Sequence, residues 1–207
     1  MESITITEEN GDVSEFLIFN NILDEEDYLN LKYWLETREY HIGDYKNKDR
    51  FNRSQLWYQK DNKYFCPEWR SRYKRWESND YDELLLDIQN KVINKINKLS
   101  GKTIMEIEDC NSCLVNYYKD GSDFIPQHKD TKISFGDEPT IIGLSIGESR
   151  KLKIVKDNNE SSFEIDMCDN SVFVMSGCSQ KYFTHGIDRD ESKINPRWSM
   201  TFRKFIL

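Results

Sequence analysis

Residues 197–203 read RWSMTFR. Taken with a period of two, Arg197, Ser199, Thr201 and Arg203 share one face, while Trp198, Met200 and Phe202 share the other. The pattern is that of a β-strand with an apolar face that packs and a polar, cationic face that requires an anion. Working back from this strand to about residue 103, seven further short segments of the same kind appear. They are SCLVNYY, DFIPQHKD, TIIGLSIG, RKLKIVK, SSFEIDM, NSVFVMSG and KYFTHGI. Turn residues such as DGS, FGDEP, KDNNE and CDN separate them. About eight antiparallel strands in a hundred residues predict a jelly roll.

Ahead of the strands lie two helical patterns. EEDYLNLKYWLETR (25–38) offers Leu29, Leu31, Trp34 and Leu35 as an apolar stripe. DYDELLLDIQNKVINKINKLSG (80–101) places Leu85, Ile88, Val92, Ile96 and Leu99 on one helical face, with acids at its start, lysines near its end and Gly101 as C-cap. The expected class is α+β: a double-stranded β-helix core with N-terminal helices packed on one sheet and a lid. The 207 residues are read as a single domain, with helices and lid in 1–101 and the jelly-roll core in 102–207.

The lid expectation comes from residues 39–79, which have no clean period. The chain carries a net charge of −8, yet residues 46–76 hold ten basic residues against three acids, a local +7 that leaves −15 for the remainder. Eight aromatic residues are interleaved there: Phe51, Trp57, Tyr58, Tyr64, Phe65, Trp69, Tyr73 and Trp76. A local basic patch, rather than net charge, steers a polyanion. No run approaches the roughly 20 apolar residues of a membrane span. The acidic N-terminus lacks a signal-peptide pattern, and five cysteines cannot all pair, so an intracellular, reducing location is expected. Cys110 and Cys113 form a lone C-x-x-C without a second ligand pair at zinc spacing, and read as small residues near a strand start. His41 has no motif around it and reads as a surface residue.

The two other histidines carry more. In PQHKD, His128 and Asp130 are two apart on a strand and point the same way; in YFTHGI, His185 sits on a later strand. Two histidines and a carboxylate make the facial triad of a non-haem Fe(II) site with open positions for a co-substrate and O2. Arg197 follows His185 by twelve residues, and Arg203 by six more. An arginine fork suits the far carboxylate of a dicarboxylic co-substrate such as 2-oxoglutarate. Six strand residues span roughly 20 Å, so two long side chains leaning together leave a gap of that acid's size.

With these residues in view, the chain resembles the AlkB-type Fe(II)/2-oxoglutarate dioxygenases, and most of all their DNA-repair members. The resemblance rests on N-x-Y in NYY (116–118), HKD (128–130), His185 and RWSMTFR, with NYYKDGSDFIPQHKD and TIIGLSIGESRKLKIV between them. It covers about 111–205 well and the N-terminal half only through NRSQ (52–55) and the aromatics after it, where the family has its nucleotide-recognition lid. It implies that His128, Asp130 and His185 bind iron and carry catalysis, and that Asn116, Tyr118, Arg197, Thr201 and Arg203 hold 2-oxoglutarate. It implies Fe(II) as cofactor, with 2-oxoglutarate and O2 as co-substrates. It further implies a monomer that demethylates N-alkylated bases in DNA or RNA, releasing formaldehyde, succinate and CO2, with the base flipped out or single-stranded. Arg53, Trp57, Tyr58, Tyr64 and Lys132 are then the expected substrate contacts. Lys132 stands where the DNA-repair members carry an acid, and Ser199 where many carry asparagine, so base preference does not transfer. The competing readings are the same enzyme class acting on a protein side chain or small molecule, and a nucleic-acid-binding module without activity.

Overall fold

The computed structural model describes residues 1–42, 53–71, 73–157 and 161–207. Lys46, Lys48, Arg50, Phe51 and Arg72 of the basic, aromatic segment lie outside the described residues. The strands are β1 (Glu2–Thr7), β2 (Val13–Asn20), β3 (His41–Ile42), β4 (Ser54–Gln59), β5 (Ser78–Asn79), β6 (Ser112–Tyr118) and β7 (Ile125–His128). They continue with β8 (Ile141–Gly147), β9 (Arg150–Lys156), β10 (Ser162–Met167), β11 (Ser171–Gly177), β12 (Phe183–Ile187) and β13 (Arg197–Arg203). The helices are α1 (Glu25–Glu36), α2 (Glu83–Ser100) and two single turns, α3 (Lys132–Phe135) and α4 (Ser179–Tyr182).

Two sheets form. The larger has nine strands in the order β1-β2-β11-β8-β13-β6-β4-β3, with β5 beside β4; the smaller runs β10-β9-β12-β7. All eight strands read between 103 and 205 are present, and the jelly-roll core with helices against one sheet is the observed architecture. The larger sheet also recruits β1 and β2, for which no strand is predicted from the sequence, and β3, β4 and β5 from the 39–79 segment expected to form the lid. The run FLIF in β2 shows why. Leu17 and Phe19 face the helices, whereas Phe16 and Ile18 face the smaller sheet. A strand buried on both faces loses the alternation that identifies a half-exposed one.

The period-two reading of RWSMTFR holds in three dimensions. Trp198, Met200 and Phe202 enter the core between the larger sheet and the helices, with Leu31, Leu35, Ile88 and Val92. In α2, Leu85, Ile88, Val92 and Ile96 are fully buried, as their spacing predicts. Leu29 and Leu99 correct that reading: each is about half exposed, on the outer side of its helix. Asp82 caps α2 by accepting from Leu85 N (2.9 Å), and it also accepts from Trp34 Nε1 (2.7 Å), so one carboxylate joins both helices. Gly101 closes α2 in the left-handed region at φ 70°. Cys110 and Cys113 are buried in the same core, and burial pushes the Cys110 thiol up to about 12.

Phe202 lies at the centre of this layer with no exposed surface. Phe202→Ala is expected to lower stability by about 3–5 kcal/mol, read as a fall in urea midpoint with an unchanged m value. A loss below about 1 kcal/mol would mean that β13 is not a central core strand.

Among the described residues no helix is long and apolar enough to cross a membrane.

Candidate active site

The inner face of the larger sheet changes character from one side to the other. On β2 and β11 it is apolar, with Phe16, Ile18, Phe173 and Met175 packed against the smaller sheet. On β13 and β6 it carries Arg197, Ser199, Thr201 and Arg203 beside Leu114, Asn116 and Tyr118. The register pairs Arg197 with Tyr118 and Ser199 with Asn116. On the other flank of β13, Ser199 pairs with Ser145 and Thr201 with Gly143. These small residues leave the space above β13 open, and a cavity of about 530 Å³ fills it.

The three metal-type side chains meet at this cavity. Pairing of β12 with β7 sets His185 directly opposite His128, and the rings stand 4.3 Å apart. β7 ends at His128, so Asp130 is delivered by the turn that follows rather than by the strand itself. Gln180 of α4 holds that turn: its Oε1 accepts from Asp130 N at 2.8 Å. One donor atom from each of His128, Asp130 and His185 falls within 4.8 Å of the others, a group able to hold a metal ion. Nδ1–H of His128 donates to the Pro126 carbonyl (2.9 Å), which fixes the tautomer and leaves the Nε2 lone pair 3.8 Å from Asp130 Oδ1.

The electrostatics favour the ligand protonation states. Burial lowers both imidazoles, His185 to about 3 with the neighbouring His128 as the next cause, so both rings are neutral at pH 7. Burial pushes the Asp130 carboxyl up, but the Arg203 guanidinium, by charge and hydrogen bond, helps pull it below the ordinary carboxylate range. Two neutral imidazoles and a carboxylate, without a thiolate, are the donor set of a ferrous centre. The buried Nδ1 of His185 has no hydrogen-bond partner among the described residues.

The two arginines are not equivalent. Arg203 Nη1 donates to Asp130 Oδ2 at 2.6 Å, both side chains being almost fully buried. Arg197 is also buried, and its Nε donates to Ser145 Oγ at 3.0 Å. Its Nη1 is buried without a partner among the described residues. Burial pulls Arg197 down to about 10, which leaves it charged at neutral pH. Asn116 Oδ1 accepts from Arg53 Nε (2.8 Å), and Tyr118 lies 5.2 Å beneath the Arg197 guanidinium. Asn116, Tyr118, Arg197, Thr201 and Arg203 therefore all line one cavity with the three metal-type residues.

The expected substrate contacts fare unevenly. Arg53 lines the cavity. The structure does not bring Trp57, Tyr58, Tyr64 or Lys132 to it. Trp57 is a buttress: its Nε1 donates to the Lys63 carbonyl (2.9 Å) and its ring backs Phe65, Phe135 and Phe205. Tyr58, one residue on, points to the opposite face of β4 and packs on Trp34 in the helix-side core. Tyr64 donates its hydroxyl to the main-chain carbonyls of Trp69 and Tyr73. Lys132 projects outward from α3 to exposed Asp137 (2.9 Å). Of the described aromatic residues between 46 and 76, Phe65, Trp69, Tyr73 and Trp76 face the cavity. Phe65 stacks on Trp76 (4.3 Å) and on Trp69 (5.8 Å), and Arg75 lies over Tyr73 and Trp76 at 5.1 and 5.3 Å. Strand parity alone separates Trp57 from Tyr58. No sequence signal marks Gln180 or Ser145, whose roles depend on which distant residue they meet.

A jelly roll that gathers two histidines and one carboxylate at a half-open cavity is the frame of a non-haem iron oxygenase. The chain belongs to the 2OG-Fe(II) oxygenase superfamily, whose family profile matches residues 15–203. Members of that superfamily use Fe(II), 2-oxoglutarate and O2. Within it the chain is AlkB-like. It is 28% identical over 102 residues to the mouse (Mus musculus) alpha-ketoglutarate-dependent dioxygenase alkB homolog 3, covering 45% of this chain and 36% of that protein. It is 23% identical over 130 residues to the human DNA oxidative demethylase ALKBH2, covering 59% of this chain and 48% of that one. The chain thus spans less than half the length of these relatives. The solved structure of OsALKBH1 superposes with a TM-score of 0.64 at 16% identity, over 91% of this chain and 97% of that one, a likeness of fold.

Proposed function

We propose that this chain is an oxidative demethylase of N-alkylated bases in DNA or RNA. The carrying observation is that the His128–Asp130–His185 group, the Arg197 row and the aromatic wall of Phe65, Trp69, Tyr73 and Trp76 share one cavity. In this reading His128, Asp130 and His185 hold the ferrous ion. When bound, iron with 2-oxoglutarate and O2 supplies the oxidising chemistry that converts an N-methyl group to one lost as formaldehyde, with succinate and CO2 as co-products.

The chain's own residues bind, orient and exclude water. Arg197, with its unpartnered Nη1, receives the far carboxylate of 2-oxoglutarate, flanked by Tyr118, Ser199 and Thr201. Arg203 keeps Asp130 ionised and fixed in direction through its 2.6 Å contact. Ser145 holds the Arg197 fork from behind, and Gln180 holds the turn that carries Asp130. The aromatic wall offers flat apolar surface to the same cavity as the histidines. Stacking of a base on such rings contributes about 1–3 kcal/mol and tolerates sequence. Arg53 and Arg75 supply cationic edges for a nucleotide. The AlkB homologue and DNA oxidative demethylase names of the relatives support the same substrate class.

The test is formaldehyde release from a panel of N-methylated DNA and RNA oligonucleotides, with Fe(II), 2-oxoglutarate and air. Stoichiometric formaldehyde and succinate from at least one oligonucleotide is the expected result. Succinate without formaldehyde across the whole panel sinks the nucleic-acid reading and points to a protein or small-molecule substrate.

A further inference from the structure

Arg150 opens β9, close to the co-substrate end of the cavity but outside its lining. It is buried, and all three of its hydrogen bonds go to main-chain carbonyls. Nη1 donates to Asp120 O (3.3 Å), and Nη2 donates to Asp123 O (2.9 Å) and Asp188 O (2.6 Å). Among the described residues no carboxylate forms an ion pair with it. The acids of these loops face their own backbones: Asp120 and Asp190 accept from Ser122 and Ser192, and Asp123 from Lys119 N. They reach Arg150 only at longer range.

The three carbonyls belong to two loops, 119–124 and 188–196, that follow Tyr118 and precede Arg197 in the chain and lock together. Gly121 N donates to Lys193 O (2.7 Å), and Asp190 N donates to Gly121 O (2.9 Å). A methyl group on Gly121 would overlap the Asp190 carbonyl, so only glycine permits the contact. Arg150 thus fastens both loops. It also lies 5.8 Å from the Tyr118 ring against which Arg197 lies at 5.2 Å, so the two guanidiniums are at most about 11 Å apart. Arg197 in turn has a hydroxyl, not a carboxylate, as its hydrogen-bonded partner. Two buried cations flank one ring with no carboxylate bonded to either.

We propose that Arg150 is a positioning residue for the co-substrate. It adds a second, non-contacting positive charge at the far-carboxylate end and fastens the two loops that follow Tyr118 and precede Arg197. This rests on the reading of Arg197 as the far-carboxylate partner. A buried charge about 10 Å away, at an effective dielectric near 20, changes anion affinity on the order of tenfold.

The test is calorimetric binding to the full chain loaded with Mn(II), comparing 2-oxoglutarate with 2-oxopentanoate, which ends in a methyl group instead of the far carboxylate. Arg150→Gln is expected to weaken 2-oxoglutarate on the order of tenfold while leaving 2-oxopentanoate unchanged, so the preference between them falls. Equal weakening of both ligands, or no change in either, overturns the proposal and reduces Arg150 to a loop fastener. Arg150→Lys covers the case in which the glutamine variant fails to fold. It keeps the charge but not the three-carbonyl fork, so it should keep the preference within about threefold even as the melting temperature drops. Loss of preference in folded Arg150→Lys also overturns the proposal. Wild-type protein without any preference for 2-oxoglutarate removes the Arg197 reading and this one together. A wild-type preference that survives in Arg150→Gln removes only this one.

Discussion

Asp130→Ala is expected to abolish turnover and to destabilise the fold in the same protein. On the proposed assignment the substitution removes one of three metal ligands. Loss of an outer-shell partner alone costs about 10–100-fold in metal affinity, and loss of a ligand exceeds that. The stability effect has a separate cause. Arg203 is 2% exposed, and its ion-pair partner is the Asp130 carboxylate. Removing one member of a buried pair strands the other and costs about 3–5 kcal/mol. His185→Ala provides the contrast. Its ring is held neutral by burial and by His128, so its removal strands no charge. Both variants should lose Mn(II) binding, followed by tryptophan fluorescence, and both should lose succinate formation. Asp130→Ala alone should also show the large drop in urea midpoint. Metal binding that survives His185→Ala rejects the triad, and equal stability losses in the two variants reject the stranded-charge account.

The second large effect is expected at Arg197, and its sign differs between stability and binding. In the ligand-free protein this buried cation has hydroxyl acceptors, Ser145 Oγ and Tyr118, and an Nη1 without a partner among the described residues. Replacing a buried ion pair by apolar residues of similar volume is often neutral or stabilising by about 1–4 kcal/mol, and Arg197 has no carboxylate partner among the described residues that its removal would strand. Arg197→Met should therefore match or exceed wild type in melting temperature without ligand. In binding the change is a loss. Truncating one partner of a buried, hydrogen-bonded charge pair costs about 2–5 kcal/mol, at least roughly thirtyfold in 2-oxoglutarate affinity. Wild type at about 100 times its dissociation constant gains about 2.7 kcal/mol from the ligand, and Arg197→Met, bound at least roughly thirtyfold more weakly, should gain no more than about 0.9 kcal/mol under the same conditions. Arg197→Lys keeps the charge but not the fork and should fall between. A methionine variant that binds 2-oxoglutarate as tightly as wild type would show that the far carboxylate sits elsewhere.

The division of labour between the arginines also bears on how the site assembles. Spacing in the sequence treats Arg197 and Arg203 as an equivalent pair around one anion. The fold gives Arg203 an internal anion, Asp130, and gives Arg197 no carboxylate partner among the described residues. On the proposed assignment, that asymmetry predicts that metal-site integrity responds to Arg203 and co-substrate affinity to Arg197.

Much of the fold was legible because its information is local. The eight strands from 112 to 203 announce themselves by alternation and by turn residues, and α2 by its 3.6-residue stripe and its caps. RWSMTFR gives its two faces directly, and His128, Asp130 and His185 stand out because histidine is scarce in this chain. β2 was hidden because burial on both faces erases alternation. Leu29 and Leu99 misled because an apolar residue near a stripe need not lie under the packing layer.

What the sequence by itself determined is the set of chemical groups and the periods that put each on a face. What only the tertiary structure decided is which groups meet. The register of β12 on β7 brings His185 to His128, and α4 delivers Gln180 to the turn of Asp130. β4 turns Tyr58 to the helices and makes Trp57 a buttress, so Phe65, Trp69, Tyr73 and Trp76 face the cavity instead. The physical reason is that faces follow from backbone geometry within a few residues. Contacts between strands tens of residues apart follow from register and layer packing, which no short stretch of sequence encodes.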